Sequence, residues 1–151
     1  MICLGVDPGK KGGYSFIIGN QAVAFPWDDS GFVRCVEDLA AKRDTLQEPI
    51  ACAVEKVAAM PGQGVSSMFS FGKAAGYIEG VLVAFSIPYQ LIPPVKWKAE
   101  FGLLHTDKAR SIEVCKKLFP GVSLMPTERC RKESDGMAES LLLALYARRK
   151  L

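Results

Sequence analysis

The chain has 151 residues, 49% hydrophobic and 23% charged, the size and balance of one packed domain and not of a disordered or low-complexity segment. Its net charge is only +3, but residues 1–95 hold seven Lys/Arg against nine Asp/Glu, whereas residues 96–151 hold twelve against seven. A basic C-terminal third fits a polyanionic partner, and it also fits an ordinary solvated face.

The apolar run before Asp7-Pro8-Gly9 and the run Tyr14 to Ile18 predict a hairpin, and Gln21 to Phe25 adds a third strand that ends at Pro26. Ser30 is placed to cap a helix over 31–42, with Phe32, Val36, Leu39 and Ala40 on one face. Ile50 to Val57 follows as a strand whose apolar run is broken by Glu55. After a loop at Pro61 to Gly64, the spacing of Met68, Phe71, Ala75, Ile78 and Leu82 predicts a long helix over 66–85. Tyr89 to Ile92 is a short strand closed by Pro93-Pro94, and Lys96 to His105 reads as a basic, aromatic-bearing connection. Thr106 or Asp107 caps a helix running to Phe119, and Ser134 or Asp135 caps a last one ending in Arg148-Arg149-Lys150. The order βββαβαβαα implies an α/β fold in a single domain over 1–151, with a mixed five-stranded sheet, antiparallel then parallel, flanked by helices.

No apolar stretch reaches the length of a bilayer, and the first residues lack the pattern of a signal peptide, so a cytoplasmic protein without a membrane partner is expected. The cysteines, Cys3, Cys35, Cys52, Cys115 and Cys130, are odd in number and form no CxxC pair, which suits reduced thiols. His105 is the only histidine, too few for a zinc cluster. Chemistry therefore falls to carboxylates and lysines.

Four acids stand out by context. Asp7 ends the first strand, Glu55 interrupts an apolar strand, and Asp135 and Glu139 lie one turn apart on the last helix. If the first and fourth strands are neighbours, all four carboxylates meet. Such a cluster repels itself unless cations neutralise it, and hard oxygen donors without histidine or thiolate favour Mg²⁺, with Mn²⁺ able to substitute. Two ions about 3.5–4 Å apart would suit phosphodiester cleavage. Each acid also has a plainer reading: Asp7 as a turn residue and Asp135 as a helix cap. Glu55 is the hardest to explain so, because an ionised carboxylate in a buried strand is costly without a partner.

The segments GVDPGKKGGYSFI, AVEKV, GKAAGYIEG, PPVKWKAEFGL, TDKARSIEV and SDGMAESLLLALYARR span nearly the whole chain. Their order and spacing resemble the RuvC Holliday junction resolvases, most closely the compact members of bacteriophages and prophages. The resemblance implies an RNase H-like fold, a homodimer, no nucleotide cofactor, and Mg²⁺-dependent nicking of opposed strands in four-way and other branched DNA. It implies metal-ligand roles for Asp7, Glu55 and Glu139, and for Asp135 with one departure: bacterial RuvC spaces its last two acids three apart, and here they are four apart. Lys96 and Lys108 resemble the two family lysines that contact phosphate near the scissile bond, which would make Lys108 catalytic. Lys10, Lys11, Lys73, Lys98 and Arg110 are further phosphate contacts expected from the charge pattern.

A second departure lies three residues after Glu55, where bacterial relatives carry a base-stacking aromatic and this chain has Ala58. Met60, Phe69 or Phe71 are replacements, although helix core is the commoner use of both phenylalanines. Gly72, Gly76 and Gly80 would let helices approach closely, across a dimer or within one subunit. Two other classes compete. Gly5-Val6-Asp7-Pro8-Gly9 also resembles the phosphate loop of actin-like ATP-binding proteins, which need two such lobes where this chain has room for one. A module that binds branched DNA without cutting it would not need four acids.

Overall fold

The computed structural model describes residues 1–151. The first three strands, β1 (Ile2–Asp7), β2 (Gly13–Ile18) and β3 (Gln21–Pro26), pair antiparallel in sequence order. Helix α1 (Asp29–Leu46) then leads to β4 (Ile50–Glu55), which lies parallel to β1, and α2 (Val65–Ala84) leads to β5 (Tyr89–Ile92), parallel to β4. The sheet order is β3-β2-β1-β4-β5. Three more helices follow: α3 (Pro94–Glu100), α4 (Lys108–Leu118) and α5 (Asp135–Lys150).

Strand alternation divides the core in two. Ile2, Leu4 and Val6 of β1 and Ile50, Cys52 and Val54 of β4 point to one face, where Phe32, Val36 and Leu39 of α1 and Ile78 and Leu82 of α2 cover them. Cys3 and Ala53 point to the other face, against Met137 to Ala147 of α5, with Trp97, Leu103 and Cys115 completing that layer. By the same parity Asp7 and Glu55, at the C-terminal ends of two neighbouring parallel strands, belong to the α5 face. An open α/β sheet presents its strand C-termini as the natural place for a site.

Helix α5 lies unusually close to β1, and glycine makes this possible. A Cβ on Gly5 would collide with the Ser140 carbonyl oxygen and the Ala144 backbone, and a Cβ on Gly136 would collide with the Lys11 carbonyl and Gly12. Ser15 of β2 and Ser140 of α5 share a buried hydroxyl contact beside this close approach. The packing of the α5 backbone on β1 sets the height of Glu139 above Asp7.

The expected mixed five-stranded sheet, antiparallel then parallel, is present, and its first and fourth strands are neighbours, with several corrections at the helices. Asp28 rather than Ser30 caps α1, its Oδ2 accepting from the Gly31 N–H at 2.8 Å, and the helix continues past Lys42 to Leu46. β4 ends at Glu55, opposite Ile92, instead of at Val57. Asp107 caps α4 and Ser134 caps α5. The stretch after Pro93 is a helix, not a connection: Pro94 occupies its first turn, where a missing N–H costs nothing, and Trp97 anchors it.

The apolar stripe of α2 divides along its length. Ile78 and Leu82 are buried, whereas Val65, Met68, Phe69, Phe71 and Tyr77 stand exposed. Nothing lies within 4 Å of a Cβ placed on Gly72, Gly76 or Gly80. The glycine series therefore makes no close packing inside the chain, which removes the intrasubunit explanation for it. All five cysteines are free, and no helix is long and apolar enough to cross a membrane.

Candidate active site

Carboxylate oxygens of Asp7, Glu55 and Glu139 all lie within 4.8 Å of one another. The sequence separates these residues widely, and the topology joins them: β1 and β4 place two acids side by side, and the second turn of α5 brings the third. Asp135 stands one turn nearer the start of α5, close enough for its charge to act on Asp7, but it is outside the tight trio. Lys108 pairs with it at 3.5 Å. The four acids expected together thus form a trio with a flanking fourth.

The electrostatics are unfavourable to the trio as it stands. Burial pushes the Asp7 carboxyl well above the usual carboxylate range, and the charges of Glu55, Glu139 and Asp135 push it further, with Lys98 opposing. Burial likewise raises Glu139, against Lys98 and a hydrogen bond from Ser111. Asp7 gains no hydrogen-bonded cation to offset this. A divalent cation fits the trio chemically: the donors are all carboxylate oxygens, clustered, and short of positive charge, which is the donor set of Mg²⁺ or Mn²⁺.

Two of the three acids are held by neutral donors. The Trp97 indole Nε1–H donates to Glu55 Oε2 at 2.8 Å, and the Ser111 hydroxyl donates to Glu139 Oε1 at 3.1 Å. Neither donor is legible in the sequence. A tryptophan beside Pro-Pro and a serine in TDKARS carry no chemical signal alone, and only the placement of α3 and α4 over the strand ends reveals them.

The expected cations separate into different roles. Lys98, on α3, is the lysine whose charge reaches Asp7 and Glu139, and its ammonium lies 5.4 Å from the centre of the Trp97 ring. Lys96, which resembled the family lysine, is exposed two positions earlier on that helix. The Lys108 side chain is 81% exposed and held only by its pair with Asp135. Lys10 and Lys11 occupy the exposed turn after β1, Lys73 is exposed on α2, and Arg110 is tied to Glu113 at 2.7 Å. Thiolate chemistry is unfavourable at Cys35 and Cys115, whose thiols burial pushes up to about 12.

No protein-family model matches the chain, and no curated protein matches it. Solved structures do. Thermus thermophilus RuvC in complex with a Holliday junction substrate aligns with a TM-score of 0.58 at 16% identity, covering 99% of this chain and 96% of RuvC. A second structure of the same protein aligns at 0.55 with the same identity and coverage. The yeast mitochondrial Holliday junction resolvase Ydc2 gives 0.48 at 15% identity, over 93% of this chain and 75% of that one. At these identities the match speaks for architecture, and from one end to the other this chain has the fold of RuvC.

Proposed function

We propose that the chain is a divalent-metal-dependent endonuclease that resolves four-way and other branched DNA by symmetric phosphodiester nicking, acting as a homodimer. The observation that carries this reading is the convergence of Asp7, Glu55 and Glu139 at the strand ends of a RuvC fold. Asp7, Glu55 and Glu139 would hold Mg²⁺, with Asp135 beside them and Mn²⁺ as a substitute. Bound metal supplies an activated water and neutralises charge on the phosphate oxygens.

The chain's own residues do the rest. The acids would set where a scissile phosphate lies, since a cluster this negative would admit a phosphate only once a bound cation had offset its charge. Lys98 stands where positive charge can stabilise the negative charge that develops on the phosphate. Lys108 pairs with Asp135, the acid that flanks the trio. The exposed cations Lys10, Lys11, Lys73 and Lys96 serve affinity through the DNA backbone, independent of sequence.

Dimerisation draws support from α2. Its glycine series is open, and its outward residues include Val65 at 82% and Phe69 at 72% exposed. A row of glycines flanked by bare apolar side chains is a surface suited to a second helix at close range. Phe69 and Met60, also exposed, are the groups available to stack on bases where bacterial relatives use the aromatic that Ala58 replaces.

The test is incubation with Mg²⁺ and end-labelled four-way junction, flap, linear duplex and RNA–DNA hybrid. Paired symmetric nicks confined to branched DNA are expected. Cleavage of linear duplex as fast as junction, or of hybrid alone, would refute the substrate assignment.

A further inference from the structure

The segment 94–118, which contributes no strand and no expected metal ligand, sends one polar group to each of three acids. Trp97 reaches Glu55, Ser111 reaches Glu139 and Lys108 reaches Asp135. Trp97 is fully buried, packed in the layer that also contains Ile92, Leu103 and Leu141. A buried indole N–H needs an acceptor, and a rigid bicyclic ring clamped in a core aims that N–H in one direction. The only acceptor it meets is Glu55 Oε2. Ser111 is 3% exposed and reaches only one Glu139 oxygen.

The chemistry of these donors distinguishes them from Lys98 and Lys108. A lysine beside a carboxylate competes with a divalent ion for the same negative charge. A neutral N–H or O–H restricts the rotation of a carboxylate and leaves its charge, and its second oxygen, for the cation. Asp7 sits on a strand and has a short side chain. Glu55 and Glu139 each have one more rotatable bond, and they are the two that receive a neutral donor.

We infer that Trp97 is a positioning residue for Glu55, and Ser111 for Glu139, together presetting the two flexible carboxylates for a divalent cation. The inference rests on the metal reading given above. It makes metal affinity, in the absence of DNA, depend on two residues that touch neither metal nor substrate.

The test replaces the Trp97 indole with benzothienylalanine, in which sulfur stands in place of the N–H and the ring shape is kept. A Trp27→Phe background confines the analogue to one position. Mn²⁺ binding to the full chain is measured by electron paramagnetic resonance of the free ion, beside thermal melting of the metal-free protein. Ser111→Ala is the second variant, since it removes a hydroxyl and little volume.

The expected result is Mn²⁺ affinity about 10- to 100-fold weaker in each variant with the metal-free melting temperature unchanged. Unchanged affinity in both variants overturns the inference. A fall in affinity matched by a fall in metal-free stability also overturns it, because Trp97 would then act only as core. Glu55→Gln separates the two levels: if it binds Mn²⁺ as tightly as the unaltered chain, the metal reading fails and this inference with it. If Glu55→Gln abolishes binding and the analogue does not weaken it, the positioning inference alone fails.

Discussion

Gly5→Ala adds one methyl group to the middle of β1, and two opposed effects determine the outcome. In a strand with free space, replacing glycine by alanine reduces the entropy of the unfolded chain and stabilises by about 0.4–1 kcal/mol. Here the added carbon falls on the α5 backbone, colliding with the Ser140 carbonyl and the Ala144 N–H and lying 2.9 Å from Ala144 Cα. Carbon atoms rest about 3.5–4.0 Å apart, so the helix must withdraw by more than about half an ångström. The obstacle is helix backbone at Ser140 and Ala144, both fully buried, and cannot swing away, which places the cost at the upper end of overpacking, about 3 kcal/mol. For a chain of this length that is a fall of roughly 6–12 °C in melting temperature. The same displacement lifts Glu139 away from Asp7, so Mn²⁺ affinity should fall as well. Differential scanning calorimetry with and without Mn²⁺ measures both. A variant that melts at or above the temperature of the unaltered chain would show that the close approach of β1 and α5 does not constrain the site.

The remaining predictions concern the charges and the open helix face. Because the Asp7 carboxyl is raised by burial and its acidic neighbours, the metal-free folded state holds more protons than the unfolded chain above the ordinary carboxylate value of about 4, and stability falls as pH rises through that window. Asp7→Asn should therefore flatten the decline of metal-free melting temperature as pH rises above about 4, and a steeper decline in the variant would contradict the assignment. Lys98→Ala should lower single-turnover junction cleavage by about 100-fold while Lys96→Ala leaves it near normal; equal effects would remove the distinction between them. Gly76→Arg should yield a stable monomer in sedimentation at micromolar concentration, since arginine favours helix over glycine and the position is open within the chain, whereas an unaltered dimer would exclude this face as the interface.

The strand half of the fold is legible because its signals are local. Glu55 breaks an otherwise apolar run, Asp7 precedes Pro-Gly, and a shared parity follows once β1 and β4 are neighbours. Helix α3 was not legible for physical reasons. It is seven residues long, two of those are lysines, and it buries a single large side chain, so no apolar period develops. The choice between Lys96 and Lys98 depends on the orientation of that short helix, and a resemblance of motifs alone cannot settle it. Helix α2 shows the converse failure. Met68, Phe71 and Ala75 have the spacing of a core stripe, and periodicity does not distinguish a face that packs on the sheet from one left bare. At α1, Asp28 and Ser30 are both good caps, and the winner is decided by which oxygen meets a free N–H.

The role of the carboxylate trio in cleavage is tested by Glu55→Gln on a labelled four-way junction, with binding and cleavage measured in the same samples. The substitution keeps the shape of the side chain and its place beside Trp97 while removing one negative charge from the trio. Junction affinity in Mg²⁺ should stay close to that of the unaltered chain while cleavage falls to background, since the substitution leaves the basic surface intact and alters the proposed metal site. Paired nicks made by the Glu55→Gln protein at the normal rate would contradict that role.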